Sequence, residues 1–313
     1  MKLISIVIPT YNNSFGITAL YLRLKSVLES LEPFYEYEII FVNDFSTDLT
    51  IDVISNIAKS DKTIKLVNFA RNFGNQTAIA AGLKFCRGDI CIIMDDDLQD
   101  PPEVITKFID KWKEGYKVVY GIRTKRNGET VLFKLITFLY YRCLNLLSDI
   151  KIPVDTGDFR LLDRAVIEVL LDINESERYY RGLISWVGFP QLGVEYERDP
   201  RYVGGSNFSI KKYIRFATSG ILSFSSTPLL ISMYLGLAIT VINFIVAALM
   251  ICYKIIQPSF SIPGWTSLFI AMLFFGGLQL MSVGVLGLYV GKIFNEIKKR
   301  PLYVIESSIN IEN

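Results

Sequence analysis

The sequence predicts an α/β fold, a mainly parallel sheet with helices on both faces, followed by two membrane-spanning helices. Three observations carry this. Short β-branched runs alternate with longer amphipathic segments up to about residue 125; one apolar run ends in three consecutive carboxylates; and the C-terminal third is almost free of charge.

Taken in order, Leu3–Ile8, Glu38–Val42, Ile64–Phe69, Ile90–Met94 and Val118–Tyr120 read as strands, and Phe15–Leu31, Thr47–Ala58, Gln76–Phe85 and Glu103–Glu114 as the helices between them. Strands joined through helices pair in parallel. Further on, Phe159-Arg160-Leu161-Leu162 is strand-like again. Between Arg215 and Lys292 the only charged residue is Lys254. Within that stretch Pro228–Tyr253 and Thr266–Gly291 are each long enough to cross a hydrocarbon core of ~30 Å. Lys211, Lys212 and Arg215 on one flank and Lys292, Lys298, Lys299 and Arg300 on the other put both flanks on the cytoplasmic side. The expected organisation is a cytosolic domain over 1–207, an interfacial amphipathic helix over 208–227, a two-helix hairpin over 228–291 and a cytosolic tail over 292–313. Val131–Leu147 reads equally as a surface-lying helix or a core helix, whereas Phe208–Phe224, with its basic residues and aromatics, reads as interfacial.

The stretch Ile92-Ile93-Met94-Asp95-Asp96-Asp97-Leu98-Gln99-Asp100-Pro101-Pro102 locates the chemistry. In an open α/β sheet, ligands gather at the carboxyl ends of strands, and these acids stand at such an end. On an extended chain Asp95 and Asp97 point to one side. A pair of converging carboxylates suits Mg²⁺ or Mn²⁺ completed by substrate phosphates; an acidic turn after an edge strand is the plain alternative. The chain has no histidine among its 313 residues, which removes the usual general base and the Ser-His and Cys-His nucleophilic systems. A net charge of +2 gives no global argument for nucleic acid. The four cysteines lack metal-site spacing and read as reduced thiols. Chemistry here falls to carboxylates, arginines, lysines and a metal.

Five blocks occur in order: Pro9-Thr10-Tyr11-Asn12, Val42-Asn43-Asp44-Phe45-Ser46-Thr47-Asp48, Ala70-Arg71-Asn72-Phe73-Gly74, Met94 to Pro102, and Asp155-Thr156-Gly157-Asp158-Phe159-Arg160. With the C-terminal apolar pair, they resemble the family 2 glycosyltransferases that load a sugar onto a polyprenyl phosphate, and the resemblance covers essentially the whole chain. It implies a GT-A fold and a nucleotide-sugar donor, with Pro9, Tyr11 and Asp44 holding the nucleoside and Arg71 near the base. Asp95 and Asp97 would hold the metal on the diphosphate, with Asp96 and Gln99 beside them. A turn or N-cap residue before the Thr47 helix is the alternative for Asp44, and its place after a strand favours the ligand role. Arg123, Arg126 and Arg201 are candidates for bringing two anions together, and Gly204-Gly205 would let the Arg201 loop close. The resemblance also implies that Asp158 faces the acceptor as base or positioning group, although Asp155 shares that block. Asn13, Asn43, Phe45 and Leu49 depart from the family pattern.

The reaction so implied is attack by undecaprenyl phosphate on the anomeric carbon of a nucleotide-sugar at the cytoplasmic face of a bacterial inner membrane. A phosphate monoester has a second pKa near ~6, so its dianion attacks without a strong base. Glucose from UDP-glucose is the first expectation; amino-arabinose derivatives, mannose, galactose and N-acetylated sugars stay open. The resemblance further implies a tetramer formed through the membrane helices. A processive polysaccharide synthase would need more helices to make a channel, and an inactive membrane scaffold would not need an intact acidic site.

Overall fold

The computed structural model describes residues 1–32, 34–124, 156–176, 178–200, 227–257 and 264–311. Arg126, Asp155, Arg201 and the expected helices Val131–Leu147 and Phe208–Phe224 lie outside the described residues.

The chain runs β1 (Lys2–Thr10), α1 (Ser14–Glu29), β2 (Tyr35–Asn43), α2 (Thr50–Ser60), β3 (Ile64–Phe69), α3 (Asn75–Phe85), β4 (Ile90–Ile93), α4 (Val104–Lys113), β5 (Val118–Arg123), β6 (Thr156–Asp163), α5 (Arg164–Asp172), α6 (Tyr180–Val187), β7 (Gln191–Tyr196), α7 (Thr227–Ile256), α8 (Trp265–Ile297) and β8 (Ile305–Ile309). Every strand and helix expected before residue 125 is present, with ends moved by a few residues. Among the described residues one sheet forms, in the order β7-β5-β6-β4-β1-β2-β3-β8. β1–β2, β1–β4, β2–β3 and β5–β7 pair in parallel, and β4–β6, β5–β6 and β3–β8 antiparallel.

Period-two alternation on β1 builds two cores. Ile4, Ile6 and Ile8 face α1, α2 and α4, where Leu20, Leu24, Ile54 and Phe108 meet them. Val7 faces the other way, toward Ala78 and Leu83 of α3, Val166 of α5 and Ile184 of α6. Because both faces are covered, the inner strands read as unbroken apolar runs. Each such buried Ile or Leu contributes roughly 1.5–3 kcal/mol. The prolines after the acids start α4: the carbonyls of Pro101 and Pro102 accept from Val104 and Ile105 at 3.1 and 3.0 Å.

The C-terminal third contains the two long helices the sequence predicts, α7 of 30 residues and α8 of 33. They touch through a Ser232 Oγ to Ser282 Oγ hydrogen bond of 3.0 Å. Among the described residues, Phe274–Ile297 is long and apolar enough to cross a membrane. Large side chains such as Leu268, Met272 and Leu280 are more than 70% exposed, a costly surface in water and an inexpensive one in lipid.

Within the expected tail over 292–313 the chain forms a further strand. After α8, Tyr303 stacks on Phe69 with ring centroids 5.1 Å apart, and β8 adds an antiparallel strand to the open edge of β3. Asn310 Nδ2 then donates to the carbonyls of Ala58 and Ile64, both at 2.8 Å. Five residues with two isoleucines carry too little pattern to announce a strand; the vacant edge of β3 supplies the partner.

Asp61, between α2 and β3, ties three elements. Its carboxylate accepts from Tyr21 and Lys25 of α1 and from Thr63. Burial alone would raise its pKa, but these donors override it and hold the group at about 2. A depressed carboxyl stabilises the fold fully above its unfolded value near ~4 and loses that contribution as pH falls toward the folded value. Asp61→Ala should therefore cost roughly 1.5–3 kcal/mol at pH 7. In thermal unfolding in detergent the gap between variant and wild type should close between about pH 4 and pH 2; a gap of constant size across that range would refute the assignment.

Candidate active site

The loops leaving β1 and β2 interlock at the carboxyl end of the sheet. Asn12 N donates to Ser46 Oγ at 2.9 Å, Thr47 N to Asn12 Oδ1 at 2.8 Å, Asn13 N to Thr50 Oγ1 at 3.0 Å and Ser14 N to Asp48 Oδ2 at 3.1 Å. Asn12 and Phe45 take the left-handed backbone region, at φ 52° and 64°. Asparagine tolerates it; a bulky aromatic does not, and the interlock holds Phe45 there. Tyr11 and Phe45 are exposed, at 52% and 43%, on this rim, while Pro9 is buried within β1.

Asp44 is buried, and its two oxygens accept from the amides of Phe73 at 2.6 Å and Gly74 at 2.8 Å. Burial raises its pKa against the pull of those amides. The α2 entrance is served by Asp48, which accepts from Thr50 N at 3.1 Å, and Asp44 shapes the loop carrying Arg71. Arg71 itself is exposed, its guanidinium 4.3 Å from the centre of the Phe73 ring.

The acids lie where the sequence places them. β4 pairs with β6 through Ile93↔Arg160, and two residues further along that antiparallel register Asp95 comes opposite Asp158. Asp95 is raised to about 7, by burial first and then by the charges of Asp100, Asp158 and Asp97. Asp96 is raised to about 8 by burial and by Asp95 and Asp97. Asp96 also anchors the β1 loop: Asn13 Nδ2 donates to its carbonyl at 2.7 Å and the Tyr11 amide to its carboxylate, leaving Oδ2 buried without a hydrogen bond. Gln99 N donates to Asp97 Oδ1 at 3.1 Å. Like charges this close call for a counter-cation.

Two arginines answer part of that demand, one of them not singled out from the sequence. Asp100 is fully buried; Tyr196 OH donates to its Oδ1 at 2.5 Å, Arg198 Nε lies 3.4 Å from the same oxygen, and an Arg123 terminal nitrogen lies 3.7 Å from Oδ2. Arg198 also reaches Asp97 at 3.8 Å. Yet Asp100 Oδ2 and Arg198 Nε make no hydrogen bond, so the cluster is only loosely satisfied. Arg123 passes directly over Gly157, where an added Cβ would meet its guanidinium at 2.3 Å and push the arginine aside. Asp158 is gripped by Arg181 in a fork of 2.8 and 3.0 Å. Burial would raise Asp158, but Arg181, with Arg160 and Arg123, holds it at about 2.

Asp95, Asp96, Asp97, Asp158 and Arg123 thus converge, Gln99 borders them, and Tyr11 and Arg71 rim the cleft from the β1 and β3 side. Arg181, Arg198, Asp100 and Tyr196 were missed because their partners are remote in sequence: Arg181 is 23 residues from Asp158, and Tyr196 is 96 from Asp100. Among the described residues no three Asp, Glu or Cys side chains close on a point that could hold an ion unaided. Asp95 and Asp97 fit a cation whose remaining ligands are substrate phosphates.

A family model described as glycosyl transferase family 2 matches residues 5–171. The chain is 43% identical to a glycosyltransferase of Bacillus subtilis, YkcC, over 99% of this chain and 95% of that protein. It is 39% identical to a Shigella flexneri prophage-derived bactoprenol glucosyl transferase, over 97% of this chain and 98% of that one. Among solved structures, the glucosyl-3-phosphoglycerate synthase of Mycobacterium tuberculosis, in complex with Mn²⁺, UDP-glucose and phosphoglyceric acid, is 19% identical with a TM-score of 0.47, covering 71% of this chain and 78% of that one. A family match across the acids and β6, joined to relatives alike over nearly their whole length, means that this chain belongs to glycosyl transferase family 2 and is a glycosyltransferase with an α/β fold of the GT-A type.

Proposed function

We propose that the protein transfers a single glucose, with inversion, from UDP-glucose to a polyprenyl phosphate at the cytoplasmic face of a membrane. The observation that carries this is the gathering of Asp95, Asp97 and Asp158 at the end of β4, where burial and neighbouring carboxylates raise Asp95 to about 7, with Arg123 and Arg198 held at Asp100. Such a site suits a diphosphate arriving with a divalent cation. The bactoprenol glucosyl transferases that align along the whole chain support the choice of sugar and acceptor.

Tyr11 and Arg71 would bind the nucleoside from the exposed rim, and Asp44 would shape their surroundings. Asp95 and Asp97 would hold Mg²⁺ or Mn²⁺, which supplies charge neutralisation for the leaving diphosphate when bound. Arg123 and Arg198 would fork onto phosphate oxygens. A dianionic oxygen of the lipid phosphate forms the bond to the anomeric carbon as the bond to the diphosphate breaks, with no proton to remove. Asp158 is therefore a positioning group rather than a base: held at about 2 by Arg181, it is a poor proton acceptor, and its fork fixes the Arg181 guanidinium.

The sheet supports the two-span reading. The chain leaves it after β7 and rejoins it as β8, so it crosses a bilayer an even number of times between them. If Phe274–Ile297 crosses, the balancing crossing falls to α7, whose 30 residues span about 45 Å. Assembly of copies through α7 and α8 is part of the same proposal.

Three outcomes test this reading. Asp97→Asn should reduce transfer from radiolabelled UDP-glucose to undecaprenyl phosphate by about a hundredfold or more, with an unchanged melting temperature; near-normal turnover in that variant, or in full chelation, would exclude the cation site. Gly157→Ala should displace Arg123 and lower kcat at least about tenfold while the protein still folds. Protease sites at the two chain ends should both be cut from the cytoplasmic side of sealed vesicles, and cutting from opposite sides would exclude a hairpin.

A further inference from the structure

The strand that closes the sheet reaches the donor rim by two independent routes. The first is aromatic. Tyr303 stacks on Phe69 at 5.1 Å and 18°, Phe69 meets Phe73 edge-on at 5.6 Å and 83°, and the Arg71 guanidinium sits 4.3 Å over the Phe73 ring. Phe69 is fully buried, so the ring chain has a rigid middle. Ala70 N donates to Val304 O at 3.0 Å, fixing the backbone between Phe69 and Arg71 to the same tail.

The second route is polar. Glu306 accepts from Asn68 Nδ2 at 2.9 Å, Asn68 Oδ1 from Asn43 Nδ2 at 2.7 Å, and Asn43 Oδ1 from Ser46 Oγ at 2.5 Å; Ser46 Oγ in turn accepts from Asn12 N at 2.9 Å. Asn43 and Asn68 are buried, and as amides they both donate and accept, which lets the relay continue. Both routes begin in the residues after α8 and end on the two loops that carry Arg71 and Tyr11.

We propose that the segment from Tyr303 to Glu306 is a working part of the donor site, with Tyr303 a positioning residue that sets Arg71 against the nucleoside diphosphate. Resting on the donor reading above, the inference assigns that site a component from the far side of the membrane helices. A cation over a ring is held only as well as the ring beneath it, and Phe73 is held by Phe69, which Tyr303 backs. The segment that anchors the membrane helices to the sheet is thus the one that shapes nucleotide affinity.

The test is a double-mutant cycle on the full-length protein in detergent, reading UDP affinity by calorimetry in Mn²⁺ alongside donor KM, kcat and melting temperature. Tyr303→Leu should weaken UDP binding and raise donor KM by about threefold to tenfold, leaving lipid-phosphate KM in place, and Tyr303→Phe should restore both. In an Arg71→Ala background the Tyr303→Leu change should add nothing, because the group through which it acts on the nucleotide is gone. Phe73→Leu, which breaks the chain one step nearer, should behave as Tyr303→Leu does and serves where the tail variant folds poorly. Additive losses in the cycle, or a fall in donor and acceptor parameters together, would mean that Tyr303 only props up the fold and would overturn the proposal. UDP affinity unchanged in Arg71→Ala would overturn the donor reading itself.

Discussion

Crowding of like charge at the carboxyl end of β4 is the constraint the rest of the site serves. A short strand buried on both faces delivers Asp95, Asp96 and Asp97 into a half-buried cleft, and the insertion of β6 beside it sets Asp158 opposite Asp95. Water is too scarce there to solvate four carboxylates, so positive charge must be supplied. The chain supplies part of it through Arg123, Arg181 and Arg198, each anchored by an acid. The remainder of that demand is what the proposed divalent cation would meet.

This division of charge explains how a protein without histidine can transfer glycosyl groups. In the proposed reaction the nucleophile arrives already ionised, so the protein has to orient and neutralise, not remove a proton. Arginine suits that task because its fork matches phosphate and carboxylate and it never loses its charge. The Asp158–Arg181 fork follows the same logic: a carboxylate held so far below neutrality directs an arginine better than it accepts a proton.

The two long helices are not an appendage. β8 returns the chain to the sheet edge at β3, Ser176 N bonds the Glu296 carboxylate at the end of α8 at 3.0 Å, and Tyr303 packs into the second core. The sheet domain and the apolar helices are consequently tied together at the end of α8, through Glu296, Tyr303 and β8. An edge strand left open at β3 would also invite pairing with other chains, and β8 occupies it.

Residues 1 to 123 were legible in the sequence because local rules suffice there: β-branched runs bounded by turn residues and helices with one apolar face need no knowledge of their neighbours. The ends of β1, β2 and β4 could be placed for the same reason, and with them Tyr11, Asp95 and Asp97. Length and lack of charge likewise determined α7 and α8. Tertiary structure alone decided that β6 runs antiparallel between β4 and β5, that Asp44 spends both oxygens on the Phe73 and Gly74 amides, and that Asp100 gathers Tyr196, Arg123 and Arg198. It also decided that a five-residue tail becomes a strand. In each case the energy lies in a pair of groups far apart along the chain, and no periodicity along one segment records which partner folding will bring to it.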